Sequence, residues 1–221
     1  MRYQWLAKKG SDRLIVFFNG WGQDAASVAH LSTEADVLML YAYHGGKDFD
    51  FSSLQEYGQV DVAAWSMGVW YASLLDWEKL KEKLNIRRAV ALCGTMPAID
   101  DTLGIPAAVF EATLSGLTPR SLEKFVLRMA GGVTAYREGP LSQAGSRSFE
   151  DVRAELAWWK DRFRVPDKAI WQKALVGLQD GIFPPENQSR AWAQAGVDTV
   201  EKDMPHYPLA GMKSWNEVFE F

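Results

Sequence analysis

Short apolar runs of strand length recur along this 221-residue chain, separated by polar turns and by stretches of helical spacing. Arg2–Ala7 and Arg13–Phe18 read as strands on either side of the turn Lys8-Lys9-Gly10-Ser11-Asp12. Asp24–Leu31 reads as a helix with Asp24 as its N-cap. Asp36–Tyr43 is a near-continuous apolar run, which suits a parallel strand buried on both faces. Val60, Val62 and Ala63 mark another strand, and the amphipathic stretch Val69–Leu84 predicts a long helix ending near Asn85. Arg88–Cys93, Ala174–Leu178 and Thr199–Lys202 complete the strands. Pro184-Pro185 opens a further helix that stops at Gly196, with proline inside the start and glycine past the end. Leu209–Phe221 predicts a last helix. Strands alternating with helices imply an α/β fold on a mainly parallel, doubly wound sheet.

The alternation breaks between Pro97 and Val165, where the pattern is helical throughout. Thr118 is an N-cap with Pro119 in the first helical position, opening Arg120–Ala130, which Gly131-Gly132 ends. Ser148-Phe149-Glu150-Asp151 has the look of a capping box and opens Glu150–Phe163. A parallel sheet needs only one crossover helix here. The surplus is therefore read as an insertion: residues 1–96 and 166–221 form the core, and residues 97–165 a helical lid. Ordinary sheet-covering helices are the plain alternative.

With 48% hydrophobic and 24% charged residues, the chain fits one globular domain with a sizeable core. Ten tryptophans point to large apolar contact surfaces. A net charge of −4 argues against nucleic acid as a partner. The single cysteine, Cys93, leaves no intramolecular disulfide and fits a reducing compartment. The N-terminal Met1-Arg2-Tyr3-Gln4-Trp5 lacks an apolar signal-peptide core, and no apolar run approaches membrane-spanning length. A soluble cytoplasmic protein with no membrane partner is expected.

Ala64-Trp65-Ser66-Met67-Gly68 lies where a strand turns abruptly into a helix. That is the setting of a nucleophile elbow, whose sharp turn strains the serine backbone and needs small residues two before and two after it. Ala64 stands where glycine is usual and adds only a methyl group. In Phe17-Phe18-Asn19-Gly20-Trp21-Gly22, the two glycines let the backbone approach a substrate oxygen, although a plain glycine turn is spelled the same way. The backbone N–H groups of Trp21 and Met67 are the expected oxyanion donors. Asp180 lies just beyond a buried strand, in an Asp-Gly pair that would also suit a simple turn. Its place after Ser66 and before the last strand is that of a catalytic acid. Of the three histidines, His30 and His44 (the latter before Gly45-Gly46) precede Ser66. Only His206 follows the final strand, 26 residues after Asp180, and the order Ser…Asp…His selects it. Cys93 ends an apolar run and reads as a buried, inert thiol. The histidines and acids show no metal-ligand spacing, and no phosphate-loop pattern is present, so neither metal nor cofactor is expected.

Phe18-Asn19-Gly20-Trp21-Gly22, Trp65-Ser66-Met67-Gly68 and the all-helical insertion together resemble the pimeloyl-acyl-carrier-protein methyl ester esterases of biotin synthesis. The short chain and the Phe-Phe-Asn-Gly-Trp-Gly opening are similar to the compact branch of that family. The resemblance runs from about Leu14 to Pro208 and is weakest in the insertion. It implies an α/β-hydrolase fold with a lid, Ser66 as nucleophile, Asp180 as acid, His206 as base, and Trp21 and Met67 at the oxyanion hole. It also implies a substrate carried on acyl carrier protein. Many related hydrolases have histidine at the position of Asn19. A general short-chain carboxylesterase or thioesterase with the same triad, and a non-catalytic binding module on the same fold, are the alternatives.

On the helix Arg120–Ala130, Arg120, Lys124 and Arg128 recur every fourth residue and share one face. Leu122, Phe125, Val126 and Met129 occupy the other, while Leu127 lies nearer the basic side. Residues 97–165 hold nine basic and nine acidic residues, so the net −4 falls on the rest of the chain. The basic stripe is the expected contact for an acidic carrier protein, and a solvated helix face is the plain alternative.

Overall fold

The computed structural model describes residues 1–45, 48–166 and 170–221; Gly46 and Lys47, beside the His44 loop, and residues 167–169, in the expected second core segment, lie outside the described residues. Among the described residues seven strands form one sheet: β1 (Arg2–Ala7), β2 (Arg13–Phe18), β3 (Asp36–Tyr41), β4 (Gln59–Trp65), β5 (Ile86–Leu92), β6 (Lys173–Gly177) and β7 (Asp198–Lys202). Their order is β1-β3-β2-β4-β5-β6-β7. Only β1 runs antiparallel to its neighbour, with Arg2 opposite Tyr41. The other pairs are parallel, and Phe18 of β2 sits in register with both Leu40 and Ala64. The apolar runs explain the order: Ile15, Phe17 and Phe18 in β2, and Val37 to Leu40 in β3, are fully buried. Each such side chain contributes about 1.5–3 kcal/mol on burial, so these strands take the centre. β7 is exposed at every position but its central Val200, as suits an edge strand.

Three expected helices take other forms. The stretch Val69–Leu84 splits into α1 (Met67–Ser73) and α2 (Trp77–Lys81). Asp76 caps α2 by accepting from Lys79 N, and the Trp77 indole donates to the Ala72 carbonyl at 2.8 Å, closing off the first helix. Asp24 does cap its element, accepting from Ala26 N, but that element is one 3₁₀ turn, Ala25–Val28. Leu209–Phe221 is not a helix. Ser32 N–H donates to the Lys213 carbonyl and the Ser32 carbonyl accepts from Trp215 N, which holds residues 213–215 extended between 3₁₀ turns at Pro208–Gly211 and Glu217–Phe219. The β3 run also stops early, at Tyr41, because Ala42 takes a φ of 48°.

The segment after β5 contains α3 (Ala107–Ser115), α4 (Pro119–Ala130), α5 (Val133–Glu138) and α6 (Phe149–Arg162). Thr118 and Ser121 form a reciprocal capping box on α4. Ser148 caps α6 from one side only, because the Asp151 carboxylate turns instead to Arg2, Arg147 and His44. After β6 comes α7 (Pro185–Ala195), ended by Gly196 in the left-handed conformation, as the proline and glycine positions predict. The loops after β2, β4, β6 and β7 all open at the carboxyl edge of the sheet, where open parallel sheets hold their sites.

Candidate active site

Ser66 stands between β4 and α1 with φ 58° and ψ −130°, a backbone conformation that a non-glycine residue holds only under constraint. Its N–H donates to the Leu92 carbonyl at 2.9 Å. A Cβ on Gly68 would lie 2.4 Å from the Phe18 carbonyl oxygen and 2.6 Å from that of Asn19, so the turn requires glycine there. Ala64 is fully buried between β2 and β5, where its methyl group is accommodated.

Ser66, Asp180 and His206 meet at this point. His206 Nε2 is 2.9 Å from Ser66 Oγ, and its Nδ1 is 2.8 Å from Asp180 Oδ2. A carboxylate can only accept, so Nδ1 carries the proton and Nε2 is left to take the serine hydroxyl's hydrogen bond. Asp180 is itself pinned: Oδ1 accepts from the backbone N–H groups of Ile182 and Phe183, and Oδ2 also accepts from Gln188 Nε2 at 2.9 Å. The His206 and Asp180 side chains have no solvent exposure. Gln188 escaped the sequence reading, since a glutamine in the first turns of a helix looks like any solvated one.

The loop after β2 faces the serine. The N–H groups of Trp21 and Met67 find no acceptor among the described residues, and both residues line the space above Ser66. Asn19 is fully buried and ties the turn together: Nδ2 donates to the Asp24 carbonyl and Ser27 Oγ, while Oδ1 accepts from Gly20 N at 2.8 Å. Asparagine at this position thus supports the turn through its own side chain. Gly22 adopts φ 73°. From α6, the Val152 carbonyl accepts the Trp21 indole N–H at 2.9 Å, and Glu155 Oε2 accepts from Gly22 N at 3.2 Å. Nothing in the sequence singled out Glu155, which looks like one more acid on an amphipathic helix.

The space above Ser66 is narrow, about 50 Å³, room for only a few waters. Val109 and Phe110 of α3, Phe125 and Met129 of α4, and Leu156 of α6 wall it, and among the described residues Arg128 is the one charged side chain lining it. The Arg128 guanidinium lies 5.7 Å from the centre of the Phe125 ring. Arg120, Lys124 and Arg128 are all exposed, and none makes an ion pair among the described residues. His30 Nε2 meets the Leu209 carbonyl and His44 Nε2 meets Asp151, so neither reaches Ser66. Cys93 is fully buried, and burial together with the Asp180 charge pushes its thiol well above the usual range. A protonated, enclosed thiol is inert.

A mostly parallel sheet with a serine on the strained strand-to-helix turn after β4 is the architecture of the α/β-hydrolases. Within that class, the chain belongs to the pimeloyl-ACP methyl esterase BioG family, whose model matches residues 1–218. The crystal structure of BioG from Haemophilus influenzae superposes with a TM-score of 0.85 at 30% identity, covering 99% of this chain and 100% of that one. A malonyl-[acyl-carrier protein] O-methyltransferase of Bacteroides fragilis is 37% identical over 196 residues, 87% of this chain. The chain spans only 39% of that longer relative. A lipase-esterase related protein from Clostridium acetobutylicum shares the fold alone, with a TM-score of 0.61 at 15% identity over 95% of this chain and 93% of that one.

Proposed function

We propose that the chain is a serine carboxylesterase that hydrolyses the methyl ester of pimeloyl-acyl carrier protein in biotin synthesis, releasing methanol. The observation that carries this reading is His206 standing between Ser66 Oγ and the Asp180 carboxylate, with unpaired N–H groups of Trp21 and Met67 beside the serine.

The chemistry follows from those contacts. His206 Nε2 takes the Ser66 proton as Oγ bonds to the ester carbonyl carbon. Negative charge moves to the carbonyl oxygen, where the Trp21 and Met67 N–H groups stabilise it by about 3 kcal/mol per donor in comparable sites. Asp180 stabilises the imidazolium. The imidazolium then protonates the methoxy oxygen as the carbon–oxygen bond breaks, and methanol departs. A water molecule, deprotonated by His206, attacks the acyl-enzyme, and that proton returns to Ser66 Oγ as the free carboxylic acid leaves and gives up its own proton to solvent.

Residues 97–165 act in this reading as a lid, α3 and α4 supplying most of the apolar walls. The narrow space suits the methyl-ester end of a chain whose remainder runs outward past Arg128. Arg120, Lys124 and Arg128 form an exposed cationic edge there, suited to an acidic carrier protein. No helix among the described residues is long and apolar enough to cross a membrane, and a cytoplasmic setting goes with this reading. Methanol release from carrier-bound pimeloyl methyl ester, against the free methyl ester, tests the proposal. Faster turnover of the carrier-bound form is expected. Equal turnover of both leaves a general carboxylesterase, and turnover of neither leaves a binding module.

A further inference from the structure

Helix α6 reaches the loop after β2 through two groups, the Val152 carbonyl and the Glu155 carboxylate. Glu155 is the principal one. It has no solvent exposure, and its two carboxylate oxygens are used on two different core loops. Oε2 accepts from Gly22 N at 3.2 Å, and Oε1 accepts from Tyr43 N at 2.9 Å. The Tyr43 hydroxyl in turn donates to the Asn19 carbonyl at 2.7 Å. Glu155 therefore holds the turn Asn19–Gly22 at both ends, directly at Gly22 and through Tyr43 at Asn19. The Trp21 indole, bonded to the Val152 carbonyl one helical turn earlier, fixes the residue between. Ahead of α6, Ser146 N and Oγ both donate to the Asp24 carboxylate, which anchors the end of the same loop.

We infer that α6 is part of the oxyanion machinery and that Glu155 is a positioning residue, aiming the Trp21 N–H at the reacting carbonyl oxygen; this rests on Ser66 being the nucleophile. The physical reason is the sensitivity of oxyanion stabilisation to donor direction. The Trp21 peptide N–H can point at a developing charge only while the peptide units on either side are fixed. Asn19 Oδ1 fixes the one before it by accepting from Gly20, and Glu155 fixes the one after it at Gly22. A carboxylate this close would oppose an oxyanion if it stood alone, but Arg147 Nη1 lies 2.6 Å from Oε2 and offsets the charge.

The test is Glu155→Gln, assayed with p-nitrophenyl butyrate and normalised to sites titrated by a fluorophosphonate probe. Glutamine keeps the shape but presents an NH₂ to one of the two backbone N–H groups. Expected is full labelling, a KM within about two-fold of wild type, and a kcat per labelled site lower by roughly 10- to 100-fold. A kcat per labelled site equal to that of wild type overturns the inference, since a merely structural Glu155 would alter only the fraction of folded, labelled sites. Should Glu155→Gln fail to fold, Trp21→Phe decides, because it removes the indole hydrogen bond to Val152 while keeping the Trp21 backbone N–H and an aromatic ring against Phe125. There a loss in kcat of roughly 3- to 10-fold supports the inference, and an unchanged kcat overturns it. A wild-type chain that the probe does not label at Ser66 refutes the nucleophile instead, a separate failure read from the unmutated protein.

Discussion

Trp65 donates its indole N–H to the backbone carbonyl of His206 at 2.9 Å, joining the residue before the candidate nucleophile to the candidate base across 141 positions of sequence. Trp65 is fully buried, and its ring also packs against Tyr207, with centroids 5.1 Å apart. The loop carrying His206 thus takes its position from the strand carrying Ser66. Trp65→Phe keeps most of the ring and removes the donor. The expected result is a stability loss of about 1–2 kcal/mol and a kcat lower by roughly ten-fold at similar KM. Urea unfolding and steady-state kinetics measure the two effects, and unchanged kcat would show that the loop holds its place without this bond.

Ser66→Ala should abolish ester hydrolysis while leaving the melting temperature near that of wild type, since it removes a hydroxyl and nothing that packs. Asp180→Asn and His206→Ala should each lower kcat by roughly 10⁴-fold. His44→Ala should leave kcat per folded molecule unchanged, because His44 meets Asp151 and not Ser66. An essential His44 would refute the assignment of the base.

Reversal of Arg120, Lys124 and Arg128 to glutamate should raise KM for a carrier-bound ester while sparing small esters. Added salt should weaken the carrier-bound reaction more, because exposed charges are screened within about 10 Å at 0.1 M. Arg128 also lines the cavity, so Arg128→Glu alone is expected to account for any residual effect on small esters. Equal losses on both substrates would point to another docking face.

At the opposite end of the sheet, the buried Asp61 carboxylate takes hydrogen bonds from Arg13, Arg87 and Arg88. Burial works to raise its pKa, but the hydrogen bonds from Arg88 and Arg87 and the Arg88 charge outweigh it and hold the group at about 2. The folded value lies below the unfolded value of about 3.9. The stabilisation is therefore fully present above about pH 4 and is lost as pH falls towards about 2, an amount of about 2 kcal/mol. Asp61→Asn should be less stable than wild type at neutral pH by about 3 kcal/mol, because three guanidinium groups lose their shared acceptor. That gap should narrow by about 2 kcal/mol on acidification, measured by urea unfolding across the range. A gap independent of pH would exclude Asp61 as a source of acid lability.

Much of the fold is legible along the chain because strands buried on both faces must be continuously apolar. Asp36–Tyr41 and Arg13–Phe18 therefore announce themselves. Ser66, Asp180 and His206 are legible too, since a strained turn demands small neighbours and the chain order leaves one histidine eligible. Local rules mislead where a remote partner competes for the backbone. Residues 209–221 carry a helical pattern, yet pairing with Ser32 holds residues 213–215 extended. The stretch Val69–Leu84 is amphipathic throughout, yet Asp76 and Trp77 break it.

The sequence by itself determined the sheet, the elbow and the eligible catalytic side chains, because hydrophobic period, small-residue requirements and chain order are all local or ordinal properties. Only the tertiary structure decided what holds those side chains in place. Gln188 on Asp180, Trp65 on His206 and Glu155 on Gly22 are ordinary residues in their own helices and strands. Each acquires its role because folding buries a donor or acceptor that must then be satisfied by whatever residue arrives from a distant part of the chain.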